Sequence, residues 1–415
     1  MSLHLPLFAA WRQTLRAGYS RSTLQRDIAA GLTVGIIAIP LAMALAIAVG
    51  VPPQHGLYTV LIAAPLIALL GGSRFNVSGP TAAFVVILLP ITQQYGLGGL
   101  LLCTMLAGMI LICLGLLRAG KLISFVPYPV TLGFTAGIGV VIATLQIKDF
   151  LGLQPQGEPD HYVAQVMSLA EALPSFQFGD ALVGLVSLGV LIAWPRFVPK
   201  VPGHLVALLV GTLLGLLLES VGMPLATLGE RFSYTLNGVE HPGIPPFLPT
   251  FTWPWNLPGL DGQPLVLSFE LIRQLMAPAF AIAMLGAIES LLCAVVADGM
   301  SSSKHDPNAE LVGQGLGNLV APFFGGITAT AAIARTAANV RAGAYSPLAA
   351  IIHAGVVLAA ILLLAPLFSY LPMATLAALL LTVAWNMSEP RHVAHTLRIA
   401  PRSDVLVLLV CLVLT

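Results

Sequence analysis

Thirteen long apolar runs, separated by Gly, Pro or short polar breaks, leave this chain one class of fold. A helix needs about 20 mostly apolar residues to cross about 30 Å of hydrocarbon. Apolar runs, most of about that length, lie at 27–49, 55–71, 79–93, 97–117, 125–147, 179–198 and 203–221. After a Pro-rich stretch they resume at 271–297, 308–324, 328–341, 346–365, 370–387 and 403–415. Of all residues 57% are hydrophobic and 8% charged, against roughly 25% charged in soluble domains. The expectation is an all-α polytopic membrane protein with the lipid bilayer as its solvent. It divides into an N-terminal segment 1–26, a first membrane region 27–221, a Pro-rich loop 222–270 and a second membrane region 271–415.

Orientation follows from the basic residues. With the N-terminus in the cytoplasm, Arg12, Arg16, Arg21, Arg26, Arg74, Arg118, Lys121, Arg196, Lys200, Lys304, Arg341, Arg391, Arg398 and Arg402 fall inside. Only Lys148, Arg231 and Arg273 fall outside, and Arg335 lies within a span. This is the asymmetry of the positive-inside rule. The loops 148–178 and 222–270 then face out, with Trp253 and Trp255 reading as interfacial anchors. The last run stops at Thr415 after thirteen residues from 403, too few to span, so the natural protein is expected to continue through at least one more helix.

Several classes are excluded. The net charge of +1 implies no nucleic-acid surface. The four cysteines sit in apolar runs without metal-ligand spacing and read as core hydrophobes, so no metal is expected. There is no HExxH, GxSxG or phosphate loop, so the chain is not read as an enzyme. Gly31/Gly35, Gly133/Gly137, Gly211/Gly215 and Gly313/Gly317 are small-xxx-small pairs that mark close helix packing.

The two halves share a pattern. Pro53, Leu57 and Gly71-Gly72 recur 254 residues later as Pro307, Leu311 and Gly325-Gly326. Seven spans separate the copies, an odd number, so the repeats are inverted. Each Gly pair precedes a short apolar segment, 79–93 or 328–341, of about 14 residues and about 21 Å. Such half-helices begin near the midplane, with Ser78 as N-cap and Gly79-Pro80 opening the first, and Thr328 or Thr330 capping the second. Their two positive ends favour an anion between them. The plain alternative is a pair of re-entrant helices with no ligand.

Two charges lie at membrane depth. Glu289, within the run 282–293, is a candidate proton carrier; its alternative is a buried structural hydrogen bond. Arg335 offers the site a fixed positive charge; its alternative is a side chain that snorkels to the surface. Asp298, His305, Asp306 and Glu310 read as solvated loop charges with no role.

These residues resemble the sulfate permease family (SulP), which includes anion exchangers and the motor protein prestin. The likeness rests on Asp27-Ile28-Ala29-Ala30-Gly31-Leu32-Thr33-Val34-Gly35, Gly56-Leu57-Tyr58, Ser78-Gly79-Pro80, Glu289-Ser290-Leu291-Leu292, and His305-Asp306-Pro307-Asn308 followed by Gln314-Gly315. It implies a uracil-permease-like 14-helix fold of two inverted seven-helix repeats, with core and gate domains and the last helix missing from this chain. A C-terminal cytoplasmic STAS domain, a homodimer formed through that missing region, and regulators acting on it are also implied.

By position the family's site residues map to Thr81, Ala82, Ala83 and Phe84, to Glu289 and Cys293, and to Ala334, Arg335 and Thr336. Leu41 after Ile39-Pro40 stands where the family often has glutamine, which removes a polar contact. Ala334 stands where many members have serine. The overall sequence looks most like the bacterial C4-dicarboxylate branch. The resemblance therefore implies import of succinate, fumarate or aspartate across the bacterial inner membrane by proton symport, with elevator-like movement and no cofactor beyond the coupling proton. The alternatives are a sulfate or bicarbonate transporter of the same fold, an anion channel and, last, a voltage-responding motor.

Overall fold

The structure, a computed structural model, describes residues 7–123, 127–157, 161–198, 201–260 and 262–415. Lys200, counted among the inward basic residues, and the start of the segment 125–147 lie outside the described residues. In chain order the helices are α1 (Ala9–Ala17), α2 (Arg21–Ala48), α3 (Gln54–Leu70), α4 (Val85–Leu116), α5 (Gly120–Ile123), α6 (Tyr128–Leu151), α7 (Tyr162–Glu171), α8 (Phe178–Phe197), α9 (Gly203–Ser220) and α10 (Leu228–Arg231). They continue as α11 (Phe269–Ser301), α12 (Pro307–Val320), α13 (Ile333–Arg341), α14 (Leu348–Phe368), α15 (Met373–Ser388), α16 (Pro390–Ile399) and α17 (Arg402–Leu414). Short strands β1 (Ser78–Gly79) and β4 (Thr330–Ala331) pair with each other, as do β2 (Ser233–Leu236) and β3 (Val239–Pro242). Among the described residues seven helices are long and apolar enough to cross a membrane unaided.

Local chemistry sets the helix ends. Ser20 and Thr23 form a reciprocal capping box, so α2 begins at Arg21, earlier than the apolar run from residue 27 suggests. Asp306 accepts from the Asn308 and Ala309 amides at 3.0 Å, and Pro307 takes the first turn of α12. The expected runs 79–93 and 97–117 are joined as helix but break at Gly96, whose φ of 68° and ψ of −171° leave the α region. The amphipathic α7 and α16 and the Asn237-Gly238 hairpin between β2 and β3 were not expected from apolar runs. Their signals are a polar helical stripe and a turn dipeptide.

The described chain forms two compact units, each drawing on both halves of the sequence. One comprises residues 1–126 and 247–360 and the other 127–246 and 361–415. Within the first, Gly31 and Gly35 of α2 seat Ile352 and Val356 of α14, and Gly313 and Gly317 of α12 seat Gly71 and Ile67. Phe251, Trp253 and Trp255 form an aromatic cluster with Phe323 and Phe324 in this unit. Within the second, Gly133 and Gly137 of α6 seat Leu408 and Thr415, and Gly211 of α9 seats Thr375. Seven of these eight glycines therefore sit at helix crossings or helix ends, while Gly215 meets Pro372 and Leu225 outside the helices. Cys103 and Cys293 are core residues as expected, whereas Cys113 is exposed and Cys411 half-buried.

Candidate functional site

The site of the first unit is assembled where two extended segments meet. After α3 the chain leaves the helical conformation at Gly71, and after α12 a 3₁₀ turn, Ala321–Phe324, ends at Gly325 with φ 72°. Residues 78–79 and 330–331 then run antiparallel, Ser78 opposite Ala331 and Gly79 opposite Thr330. The Ala332 amide adds a bond to the Val77 carbonyl at 3.1 Å. An antiparallel pair between equivalent segments is what inverted repeats produce when they meet.

Buried extended backbone needs partners for every N–H and C=O, and helix side chains provide them. On α12, Glu310, Gln314 and Asn318 are spaced i, i+4, i+8 and are each about 1% exposed. Glu310 Oε2 accepts from the Gly72 and Ser73 amides at 3.0 Å, and its Oε1 from Asn76 Nδ2 at 2.7 Å. Gln314 Nε2 donates to Ser78 Oγ at 3.1 Å. Asn318 Oδ1 accepts from the Ala329 amide and its Nδ2 donates to the Ala329 carbonyl. From α3, Thr59 Oγ1 accepts from the Ile327 amide at 2.8 Å, and His55 Nδ1 lies 2.7 Å from the Gly325 carbonyl. Glu310 is thus not a solvated loop charge; α12 fastens both extended segments.

Each segment then starts a short helix. The first opens with a 3₁₀ turn at Ala82–Phe84 and runs to the break at Gly96, and the second is α13, nine residues long. The second begins at Ile333 instead of Thr328, because Thr330-Ala331 are strand. Neither Ser78 nor Thr328 nor Thr330 is an N-cap. The N-cap residues are Thr81 and Ala332, and neither side chain bonds the first-turn amides. Thr328 Oγ1 bonds Thr104 Oγ1 at 2.7 Å, Thr330 Oγ1 donates to the Gly286 carbonyl at 3.0 Å, and Thr336 Oγ1 accepts from the Val77 amide at 3.1 Å. Two helix starts without side-chain caps keep first-turn N–H groups and their partial positive charge free for a ligand.

Arg335 does not snorkel. It is 4% exposed and reaches from α13 to the other extended segment, where Nη2 donates to the Pro80 carbonyl at 2.8 Å. Its Nη1 has no protein partner and lies against Gly79, where an added Cβ would stand 2.6 Å from it. Across from it, Thr81 Oγ1 donates to Glu289 Oε2 at 3.0 Å. One turn on, Cys293 Sγ lies 3.2 Å from the Ala331 carbonyl. Phe84 packs toward Gly286, where an added Cβ would meet its ring at 3.3 Å. The fold therefore gathers Gly79, Thr81, Ala82, Ala83, Phe84, Glu289 and Arg335 around the two helix starts. Ala334 is exposed on the first turn of α13, while Ser78, Thr328, Thr330 and Thr336 hold backbone and neighbouring side chains. Sequence reasoning missed Glu310, Gln314 and Asn318, whose signal is a polar stripe on a glycine-rich helix. Replacing Gly79 by Ala is expected to push the guanidinium aside, to lower thermal stability by straining a backbone held at φ 156°, and to weaken anion affinity about tenfold, or about 1.4 kcal/mol, in equilibrium binding to the purified folded protein.

The sequence signature of the sulfate permease family matches residues 24–411. A putative sulfate transporter of Bacillus subtilis, YvdB, is 44% identical over 382 residues, covering 92% of this chain and 68% of that protein. The bicarbonate transporter BicA of Picosynechococcus sp. is 29% identical over 393 residues, covering 92% of this chain and 65% of the relative. The chain thus spans about two thirds of the length of these curated relatives. Among solved structures, the transmembrane domain of a cyanobacterium bicarbonate transporter BicA matches with a TM-score of 0.79 at 29% identity, over 95% of this chain and 96% of that one. SLC26A9 matches with a TM-score of 0.79 at 19% identity, over 95% of this chain and 62% of that one, a likeness of fold. Both neighbours have the inverted seven-plus-seven repeat.

Proposed function

Since this chain belongs to the sulfate permease family, we propose that it is the membrane domain of a secondary transporter that holds a small anion between its two half-helix starts. The observation that carries this reading is the pair of uncapped helix N-termini with the unpartnered Arg335 Nη1 beside them. Backbone N–H groups and a guanidinium recognise a carboxylate or oxyanion without metal assistance. The distribution of basic residues favours a cytoplasmic N-terminus in a bacterial inner membrane.

The substrate in this reading is a C4-dicarboxylate such as succinate, fumarate or aspartate, taken up with protons. Ala82, Ala83 and Ala334 present methyl groups and backbone amides in place of hydroxyls, which favours a carboxylate ligand over one recognised by side-chain hydroxyls. The names of the relatives favour sulfate or bicarbonate as the second reading. Glu289 is the coupling group. Its carboxylate receives the Thr81 hydroxyl at the start of the first half-helix, so a negative Glu289 and a bound anion repel across the same helix end. Protonation removes that repulsion, and anion and proton cross together in an elevator-like movement of the unit that carries the site.

Proteoliposomes with an inward proton gradient test the reading. Labelled succinate or fumarate should accumulate above equilibrium, and accumulation should collapse with the gradient. Competition by sulfate with none by dicarboxylates would select the second reading, and dissipative flux without accumulation would indicate a channel. Glu289→Gln, with its charge removed permanently, should keep binding the anion while uptake becomes independent of pH, and full pH dependence in that variant would remove Glu289 from the coupling step.

A further inference from the structure

The connection between α15 and α17 holds a helix that the rest of the described structure only brushes, with Val393 and Thr396 partly buried and no residue fully so. α16, Pro390–Ile399, buries none of its residues. Leu397 is 41% and Ile399 70% exposed. An amphipathic helix in a folded chain normally buries its apolar face. The other short basic helix, α1, does so: Ala9, Ala10 and Thr14 are buried, and the Phe8 and Ala10 amides bond the Leu70 and Gly71 carbonyls at the end of α3.

The sequence of α16 has two faces. Arg391, His395 and Arg398 follow an i, i+4, i+7 spacing. Val393 and Leu397 stand roughly opposite, with Ala400 just beyond the helix. The acidic residue beside the helix, Glu389, is engaged by His392 Nδ1 at 2.8 Å. Only Glu389 joins α15 to α16, and only Ala400-Pro401 join α16 to α17. Both neighbours are largely apolar helices, of 16 and 13 residues, and such short joints leave α16 no slack with which to move away from their ends. Trp385, 67% exposed in the last turn of α15, is of the residue type that settles among headgroups.

We propose that α16 lies flat in the membrane interface and binds anionic phospholipid, with Arg391 and Arg398 on headgroup phosphates and Val393 and Leu397 among the acyl chains. Charge selects this occupant: a stripe of arginines over an apolar face matches an acidic bilayer surface, where each basic residue contributes about 1 kcal/mol and the attraction fades within a Debye length. The inference rests on the membrane reading of the chain and is independent of which anion is carried.

The test uses the whole protein in lipid nanodiscs of phosphatidylcholine alone or mixed with phosphatidylglycerol. Amide hydrogen exchange should be slower across 390–399 in the mixture, with α1 unchanged, and about 1 M salt should remove the difference. Arg391→Gln with Arg398→Gln should lower the phosphatidylglycerol retained through purification, counted by mass spectrometry, by roughly five-fold per arginine. Leu397→Glu should abolish protection in both lipids. Equal exchange in the two lipids, or protection that persists in detergent free of lipid because another segment covers the helix, overturns the proposal.

Discussion

Replacing Arg335 by Gln should lower anion affinity about 100-fold, equivalent to about 2.7 kcal/mol. The charge is 4% exposed and stands at the start of α13, with one nitrogen on the Pro80 carbonyl and the other without a protein partner. A charge-assisted hydrogen bond is worth about 1.5–3 kcal/mol, and here the loss is compounded because Glu289, the nearby carboxylate, keeps its repulsion for the ligand. Glutamine is short enough to leave the Pro80 carbonyl unbonded as well. Arg335→Lys should recover part of the affinity, since it restores a point charge but not the fork that serves Pro80 and the ligand together. Equilibrium binding of labelled succinate and sulfate to purified protein at two ionic strengths reads this directly. Unchanged affinity in Arg335→Gln would move the anion away from the α13 end of the site.

The pattern that made the inverted repeat visible in the sequence is steric. An added Cβ at Gly72 would stand 1.9 Å from the Asp306 carbonyl oxygen, and one at Gly326 would stand 2.9 Å from the Ala321 Cβ and 3.2 Å from the Thr59 Cα. Two equivalent crossings in the two halves need residues without side chains at equivalent places, so Gly71-Gly72 and Gly325-Gly326 recur. Glu289 and Arg335 stood out because charge inside an apolar run is costly. The extent of the second half-helix was not legible. Thr328 and Thr330 have the chemistry of N-caps, yet their hydroxyls are taken by Thr104 and by the Gly286 carbonyl, partners 224 and 44 residues away. Glu310 misled for a related reason. In the first turn after Asp306-Pro307, an acidic side chain matches the helix dipole whether it is solvated or buried. Only its spacing with Gln314 and Asn318 on a helix of glycines and small apolar residues distinguishes the two.

That misreading leads to the second large effect, on stability. Glu310→Ala should cost about 3–5 kcal/mol, because it leaves the Gly72 and Ser73 amides and Asn76 Nδ2 buried without their acceptor, each such orphan costing about 1–3 kcal/mol. Water has little room to replace the carboxylate where the Gly72 Cα is packed against Asp306. Glu310→Gln should behave differently. Its carbonyl oxygen takes over the two backbone amides, and its new NH₂ faces Asn76 and Gln314, whose Oδ1 and Oε1 atoms have no partner at present. Turning those amides over converts a donor clash into two acceptors, at the expense of the Asn76 bond to the Ser290 carbonyl at 3.2 Å, while the Ser78 hydroxyl reverses its 3.1 Å bond with Gln314 and donates to Oε1. The net loss should be about 1 kcal/mol, one hydrogen bond's worth. Thermal unfolding of the purified variants in one detergent separates the cases: a large fall in midpoint for Ala and a small one for Gln is expected. A Gln variant as unstable as Ala would mean that the negative charge itself, and not the supply of acceptors, holds the first extended segment in place. In that event anion affinity in the Gln variant should fall together with stability, because the same segment carries Gly79 and Pro80 to Arg335.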